Sequence, residues 1–405
     1  MMQYNVKKGV DSLKKLLFTF ITMLTILLSC TIFAEASQYS KIKVGLYYGS
    51  NAKNSVSIHF DHGFSYGYFD GENHIEQGRL TGTDFTFRAI TSTKIVINEV
   101  QVFDTQGINM SIVPVGGNIT LDGTEYRGSI VLTNISDSKM MVMNVLHLEE
   151  YLWGVVPGEM PSSWDHQALK AQAVCARGFA VSNFNKHISS GFNVCATTNC
   201  QVYKGASAET EATTKAVNET YGKVVTFNGE PIESLFFSSS GGYTANAKNV
   251  WGGYVEYLQG VPDPYEPADA PNHSWNVYMS LSEIKTALAN YGVNVGTVWG
   301  FQLTEDETGR VYKLRIDGSE GSKTLTYGST CAPFVPYGVI SPNYDAIACY
   351  DPATGLLIGY HFYGGGWGHG VGLSQYGAKG MADAGFYYRD ILKHYYPGTE
   401  IGTIY

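Results

Sequence analysis

A glycine-rich block near the C-terminus limits what this chain can fold into more than any other feature of its sequence. Six glycines fall between residues 364 and 372, interleaved with Trp367 and His369, and Gln375 and Tyr376 follow. Because glycine loses the most backbone entropy on folding, such a run indicates a backbone that turns tightly or lies close to another group. The aromatic and polar side chains suit a polar ligand with flat apolar faces, such as a sugar. A purely structural turn is the alternative.

Glycines at these spacings also occur in nucleotide-binding loops. Here the P-loop Lys-Ser/Thr pair is absent, and no βαβ unit with a downstream acidic residue accompanies the block. The formal net charge of -9 also disfavours nucleic acid as a partner. Nucleotides and nucleic acids are therefore not the predicted ligands.

The N-terminus has the pattern of an export signal. Four lysines precede an uncharged run over residues 16–34, which is a basic region followed by an apolar stretch. Cleavage near Ala36, acylation of Cys30 and retention as a membrane span are each compatible with this run. We therefore predict a signal peptide or membrane anchor over residues 1–36, with the rest of the chain outside the cytoplasm.

Alternating apolar and polar residues predict antiparallel β structure before residue 115. The alternation begins at Lys41 and continues to about Val113, which we assign to a β-rich region over residues 38–115. A hairpin is predicted over residues 119–128, because the Asp-Gly pair inside it is typical of a tight turn.

Helical spacing of apolar residues predicts three helices. They cover about residues 163–180, 281–291 and 388–395. Ser162 or Ser163 caps the first, and Ser280 with Glu283 forms a capping box on the second. The predicted fold class is α+β, strand-rich and mostly antiparallel, with a few helices, the first of which carries a motif region.

Four motifs occur in a fixed order along the chain. They are Val-Val-Pro-Gly-Glu-Met-Pro at residues 155–161, Leu-Lys-Ala-Gln-Ala at 169–173 with Arg177, Cys-Gln-Val-Tyr at 200–203, and Gly-Trp-Gly-His-Gly-Val-Gly at 366–372. On these motifs the chain resembles the stage II sporulation protein D / LytB family of cell-wall proteins over about residues 118–400. The resemblance implies a catalytic domain, placed at residues 116–400, in a protein secreted or anchored at a bacterial cell wall. The β-rich region before it is either a spacer or a wall-binding module.

Glu159 is the predicted catalytic residue. Neighbouring apolar residues would shield its carboxyl, and desolvation raises a carboxyl pKa, as a general acid at neutral pH requires. The alternative is an acid stabilised by the N-terminus of the following helix. The resemblance favours catalysis, because the matching Glu is the family's presumed catalytic acid. Further carboxylates, expected to face solvent, are Glu149, Glu150 and Asp165.

A single prominent carboxylate favours a lytic transglycosylase, since most glycoside hydrolases need two. Glu159 would protonate the oxygen between N-acetylmuramic acid and N-acetylglucosamine, then accept a proton as a 1,6-anhydro ring closes. The predicted partners are peptidoglycan glycan strands and a cell-wall amidase or other wall-remodelling protein. A non-catalytic glycan-binding modifier of a wall amidase is the alternative function. A zinc-dependent amidase or peptidase is a third.

We expect several further side chains to contact the glycan. These residues are Arg177, Ser240, His369, Gln375 and Tyr376. Arg177 would bind a carbonyl or carboxylate, whereas His369 would transfer a proton or hydrogen-bond a sugar. A salt-bridged Arg177 and a structural His369 are the alternatives. The loop holding His369, Gln375 and Tyr376 is predicted to lie beside Glu159.

Cysteine spacing in a compartment that permits oxidation predicts two disulfides. The predicted pairs are Cys195–Cys200 and Cys331–Cys349. Some members of the family carry His beside the first pair and bind zinc there. Here Asn199 stands before Cys200, and the nearest upstream histidine is His187. No cofactor is therefore predicted, and a zinc site of His187, Cys195 and Cys200 is the alternative.

Overall fold

The computed structural model describes residues 39–405, with the exception of residues 106 and 108. The predicted signal or anchor, including Cys30, lies outside the described residues. Contacts divide the chain into two compact units: the first comprises residues 39–119, 127–148 and 403–405, and the second comprises residues 120–126 and 149–402. No helix in the described part of the chain is both long enough and apolar enough to cross a membrane.

The chain before residue 148 forms short strands. They are β1 (Lys41–Tyr47), β2 (Ser55–Phe60), β3 (Phe64–Asp70), β4 (Asn73–Leu80), β5 (Asp84–Thr91), β6 (Lys94–Ile97), β7 (Gln101–Asp104), β8 (Met110–Pro114), β9 (Ile119–Leu121), β10 (Thr124–Tyr126), β11 (Ser129–Ser136) and β12 (Lys139–His147). In the first unit, β1, β12, β11, β8, β3 and β4 lie side by side in one antiparallel sheet, and β2, β5, β6 and β7 in another.

Alternation of buried and exposed residues places the core of the first unit. Val56, Ile58 and Phe60 on β2 are buried, and the residues between them are exposed, which is the period of a strand. The ring of Phe60 stacks on Phe64 with centroids 4.7 Å apart. The predicted antiparallel β structure is confirmed. The unit extends beyond residue 115, because β11 and β12 belong to it.

The predicted hairpin is present as β9 and β10. Asp122 and Gly123 connect the two strands with positive φ angles of 49° and 82°. Positive φ at both central residues is what a type I′ turn requires, and Asp-Gly tolerates it.

Seven helices follow in the described residues. They are α1 (Leu148–Glu159), α2 (His166–Ser182), α3 (Glu211–Glu219), α4 (Ala247–Trp251), α5 (Leu281–Asn290), α6 (Gln375–Asp383) and α7 (Tyr388–Tyr395). The three predicted helices correspond to α2, α5 and α7. The cap of α2 is Asp165 rather than a serine, since its side chain accepts from the Gln167 N–H. The capping box of Ser280 and Glu283 is present on α5.

The sequence does not predict α1, because Pro157 and Gly158 lie in its last turn and both residues disfavour helix. Burial explains why the helix nevertheless forms. Tyr151, Leu152 and Val155 are completely buried at helical spacing, and packing of such a face outweighs local propensity.

The second unit has two hydrophobic cores. Its strands are β13 (Val194–Cys195), β14 (Lys223–Phe227), β15 (Glu230–Pro231), β16 (Phe236–Phe237), β17 (Trp275–Ser280), β18 (Val298–Glu305), β19 (Val311–Gly318), β20 (Gly321–Thr326), β21 (Tyr344–Tyr350), β22 (Leu357–Gly364), β23 (Leu373–Ser374) and β24 (Glu400–Thr403). Helix α2 is central to the first core, packed against α3, α6, α7 and β14. Residues 279–362 supply the second core, which α5 and β17–β22 enclose. The α+β fold class is confirmed.

Candidate active site

A cavity of about 680 Å³ lies in the second unit at the C-terminal end of α1. Glu159, the last residue of α1, lines it together with His369 and Gln375. The Gln375 side-chain amide donates to the Glu159 backbone carbonyl at 3.1 Å, across 216 positions of sequence. The structure therefore brings the glycine-rich block and the Glu159 motif to one cavity.

The surroundings of Glu159 disfavour its charged form. Burial raises the pKa of the carboxyl above its ordinary value, and two groups partly offset the rise. These are the Val202 N–H, 2.8 Å from Oε1, and the charge of Lys204. The negative end of the α1 macrodipole also disfavours a carboxylate here. Stabilisation at a helix N-terminus, the sequence-based alternative, is wrong, because α2 begins only at His166.

The glycines of the block pack against the protein's own backbone. A Cβ on Gly366 would lie 2.7 Å from the Ser239 carbonyl oxygen, and one on Gly372 would lie 2.1 Å from that of Leu235. Both glycines have positive φ, 80° and 82°, which only glycine adopts without strain. The group that the backbone approaches closely is therefore a neighbouring loop of the same unit.

His369 is held as a neutral ring by backbone contacts. Its Nδ1 accepts from the Val371 N–H at 3.1 Å, and the Phe236 backbone supplies a second partner. Burial lowers the pKa of His369 to about 4. The ring of Trp251 lies 5.3 Å away, centroid to centroid. A neutral imidazole with both nitrogens engaged does not donate a proton to a substrate at neutral pH, so the structural alternative for His369 fits these contacts.

Gln375 and Tyr376 begin α6 but face different surroundings. The Gln375 Nε2 also donates to Gln172 Oε1 at 3.2 Å, which leaves the side-chain oxygen of Gln375 as its group for a ligand. Tyr376 is not among the residues that line the cavity. Its ring packs edge to face on Trp164 at 4.9 Å. The predicted glycan contact of Tyr376 is not supported by this position.

Ser240 is completely buried, contrary to the prediction that it contacts the glycan. Its Oγ lies 2.8 Å from Asp263 Oδ2 and 2.7 Å from Glu266 Oε2. A hydroxyl donates one hydrogen, so one carboxyl must be protonated for both contacts to be hydrogen bonds. Burial raises the pKa of Asp263. Burial acts likewise on Glu266, but hydrogen bonds from its neighbours outweigh it and lower that pKa. Of the two carboxyls, Asp263 is the one whose pKa shift favours the protonated form, and the network fixes the loop at residues 238–241.

Arg177 is completely buried and does not line the cavity. Its Nε and Nη2 donate to the two carboxylate oxygens of Glu149 at 2.7 and 2.6 Å. The other guanidinium donors reach backbone carbonyls, including that of Lys223 at 2.9 Å. The predicted glycan contact of Arg177 is therefore wrong and its salt-bridged alternative holds. Glu149, expected to face solvent, is the buried partner.

Several cavity residues belong to no motif in the sequence. Trp251 is such a residue. Trp251 and Trp367 both line the cavity, and each exposes 52% of its surface. Lys186 and Glu233 add charge to the lining. The Glu233 Oε1 accepts from the Asn183 side chain at 3.0 Å. The cavity therefore holds a second carboxylate, which no spacing in the sequence could indicate.

Three metal-ligating side chains converge at the edge of the cavity. The ligand atoms of His187, Cys195 and Cys200 lie within 4.8 Å of one another, and Cys200 lines the cavity. Cys200 Sγ is 3.4 Å from His187 Nε2. One nitrogen and two sulfurs form a donor set that Zn²⁺ prefers, with one tetrahedral position left for water or another ligand. These residues therefore fit zinc.

Both predicted disulfides are wrong, because the cysteines among the described residues are all thiols. Cys195 and Cys200 share the imidazole of His187 as a neighbour instead of a common bond. Cys331 is buried in the second core of the second unit. Cys349 lies on β21 and is only partly buried, with its sulfur directed to the Ile347 carbonyl at 3.7 Å.

Comparison with known proteins identifies the family. The family described as stage II sporulation protein matches residues 136–227, and a domain family of unknown function, DUF8618, matches residues 246–372. The chain is 36% identical over 271 residues to stage II sporulation protein D of Bacillus subtilis, which covers 63% of this chain and 74% of that protein. The chain belongs to the stage II sporulation protein D family.

Two further relatives are similar to this chain over about three quarters of its length. An uncharacterized protein of Brachyspira hyodysenteriae is 35% identical over 307 residues, 75% of this chain and 78% of that protein. The amidase enhancer of Bacillus subtilis is 31% identical over 361 residues, 77% of this chain. The match spans about half of the enhancer, 49% of its length. The resemblance to the stage II sporulation protein D / LytB family is confirmed.

Proposed function

We propose that this member of the stage II sporulation protein D family is a peptidoglycan lytic transglycosylase that acts at the cell wall, outside the membrane. The observation that carries the proposal is a carboxyl with a raised pKa, Glu159, in a cavity with exposed tryptophan surface. A raised carboxyl pKa favours the protonated form that general acid catalysis needs.

Glu159 would act twice in one cycle. It first gives its proton to the oxygen between N-acetylmuramic acid and N-acetylglucosamine, and that C1–O bond breaks with its electron pair on the leaving oxygen. The Glu159 carboxylate then takes the proton of the muramic 6-hydroxyl, whose oxygen bonds to C1. The Glu159 carboxyl is thereby restored and no water is consumed. The Val202 N–H on Oε1 holds the carboxyl in place throughout.

The other cavity residues fit a sugar chain. Trp251 and Trp367 offer apolar ring faces to the C–H face of a pyranose. The side-chain oxygen of Gln375 and the polar groups of Ser238 and Asn199 line the same cavity. A few polar groups in a mostly apolar lining are typical of a small-ligand site.

The products test the proposal. We expect mass spectrometry of glycan strands digested by the protein to show 1,6-anhydro-muramic ends. In the proposed cycle one carboxyl, that of Glu159, is sufficient to give the proton and then to take one back as the ring closes. Mainly reducing ends would instead mean that water attacks C1. Glu233 would then be the base to examine, since it supplies a second carboxylate to the cavity. If the protein cleaves neither strands with stem peptides nor strands without them, it is neither a lytic transglycosylase nor a hydrolase of these strands.

We further propose that His187, Cys195 and Cys200 hold zinc. A bound ion would tie the segment before Val202 to the rest of the unit, and Val202 is the residue that hydrogen-bonds Glu159. Removal of zinc by a chelator is expected to lower the melting temperature, since structural zinc contributes directly to folding. Elemental analysis should give about one zinc per chain. Cys200→Ser should lose the metal, whereas Cys349→Ser, the matched control, should retain it. A protein purified without zinc whose melting curve ignores chelator would contradict the proposal.

A non-catalytic modifier of a wall amidase is the second candidate. The specific support is the similarity to the relative named amidase enhancer. It predicts that the protein raises the activity of an added cell-wall amidase, and that Glu159→Gln retains this effect fully. Loss of the effect in that variant would link it to glycan cleavage.

A further inference from the structure

A second cavity, of about 700 Å³, adjoins the first in the second unit. Trp251, Trp367, Gly368 and His369 line both cavities. The two cavities therefore share one aromatic wall. Most of the other residues that line the second cavity lie within residues 326–342, which belong to the segment matched by the domain family of unknown function.

None of the described residues that line the second cavity carries a charge at neutral pH. Burial lowers the pKa of His369 to about 4 and raises that of Cys331 to about 11, so both are neutral. A charged ligand would lose hydration there without an opposite charge in return. A stem peptide with its carboxylates is therefore disfavoured. An uncharged ring with hydroxyl and acetamido groups fits the mixture of apolar side chains and the hydroxyls of Thr326 and Tyr327.

Tyr327, which lines the second cavity, has an unusual backbone conformation. Its φ is +56°, in the left-handed region that bulky residues rarely adopt. Strain of this kind persists where the surroundings fix it and is concentrated at ligand sites. The Tyr327 ring lies over Gly252, where a Cβ would be 3.4 Å from the ring. Gly252 directly follows Trp251, and both Trp251 and Tyr327 line the second cavity.

We propose that the second cavity binds a further N-acetylglucosamine residue, the sugar of the strand that has no carboxylate, of the same glycan strand whose scissile bond lies at Glu159. The inference rests on the proposed function and extends it, because it makes long strands the preferred substrates. Sugar residues beyond those in the first cavity would stack on Trp251 and Tyr327. Short fragments would fill the first cavity only.

Binding of glycan fragments of increasing length tests this in full-length protein carrying Glu159→Gln, so that no fragment is cut. The probes are peptide-free repeats of N-acetylglucosamine and N-acetylmuramic acid, from tetrasaccharide to decasaccharide, titrated calorimetrically. We expect affinity to rise about tenfold between the shortest and the longest fragment, as one added stacking contact of about 1.4 kcal/mol would give. Tyr327→Gly removes the ring on which a sugar would stack, and Val335→Trp fills the cavity. Each variant should abolish that rise in affinity. Trp299→Ala should keep it, since Trp299 is exposed but lines neither cavity.

Thermal stability separates a binding role of Tyr327 from a packing role. Glycine relieves the left-handed strain at residue 327, so Tyr327→Gly should melt at the same or a higher temperature while it loses the length dependence. A lower melting temperature with the length dependence intact would overturn the inference. Equal affinity for all lengths in the parent would overturn it as well, and would leave the proposed function standing. If no fragment of any length binds, the proposed function fails and the inference fails with it.

Discussion

Glu159→Gln is expected to lower the rate of glycan cleavage by about a hundredfold or more, which is the typical loss when a general acid is removed. Glutamine keeps the size of the side chain and its Oε1 acceptor for the Val202 N–H, but it has no proton to transfer. The measurement is the initial rate of release of soluble fragments from purified strands. Glu150→Gln is the matched control, because it lies on the same helix and does not line the cavity. Equal rates for Glu159→Gln and the parent would contradict the catalytic assignment.

The pH dependence gives an independent check on the same residue. The first step needs protonated Glu159, so cleavage should fall as pH rises through the raised pKa of the carboxyl. Residual activity of Glu159→Gln should lack that alkaline limb.

The free energy of unfolding should depend on pH in the opposite direction to that produced by a salt-bridged acid. A carboxyl whose pKa is higher in the folded state costs stability as pH rises above its unfolded value. Glu159→Gln should therefore unfold at neutral pH with the same or a greater free energy than the parent.

The position of Glu159 follows from sequence only in part. Its motif and the glycine-rich block indicate a shared site, and the structure places both at one cavity. The helix that carries Glu159 could not be predicted, because Pro157 and Gly158 outweigh the apolar spacing of α1 in any local analysis. That omission reversed the expected effect of the helix dipole on the carboxyl pKa.

Residues of the motifs proved to differ in what they do. Arg177 belongs to a motif and Ser240 is a predicted glycan contact, yet both are completely buried and hydrogen-bonded to carboxyl groups of the protein. A sequence pattern marks special residues but does not separate those that contact a ligand from those that hold the site together. Burial makes that separation, and it depends on tertiary packing.

Other site residues carry no local signal at all. Glu233 and Trp251 lie in stretches without a distinctive motif and reach the cavity only through the fold. The disulfide predictions are wrong for a related reason, because spacing alone cannot distinguish two sulfurs that bond to each other from two that face a common imidazole. The side chain of His187 supplies the missing partner from thirteen positions before Cys200.

Arg177→Ala is expected to lower the free energy of unfolding of the second unit by about 3–5 kcal/mol, the usual cost of breaking a buried ion pair. The change leaves the Glu149 carboxylate buried without its guanidinium, and it also removes the donor to the Lys223 carbonyl. Urea unfolding followed by tryptophan fluorescence measures the effect. All six tryptophans lie within residues 149–402, so the signal reports on the second unit.

Arg315→Ala is the matched control for this prediction. Arg315 also contacts a carboxylate at 2.9 Å, that of Asp317, but its side chain is 50% exposed. Solvent screens such a pair, so its loss should cost less than about 1 kcal/mol. A third variant separates charge from packing. Arg177→Met combined with Glu149→Leu removes both charges and leaves apolar groups, so it should be more stable than Arg177→Ala alone. Equal losses for Arg177→Ala and Arg315→Ala would show that the buried pair does not hold α1 and α2 together.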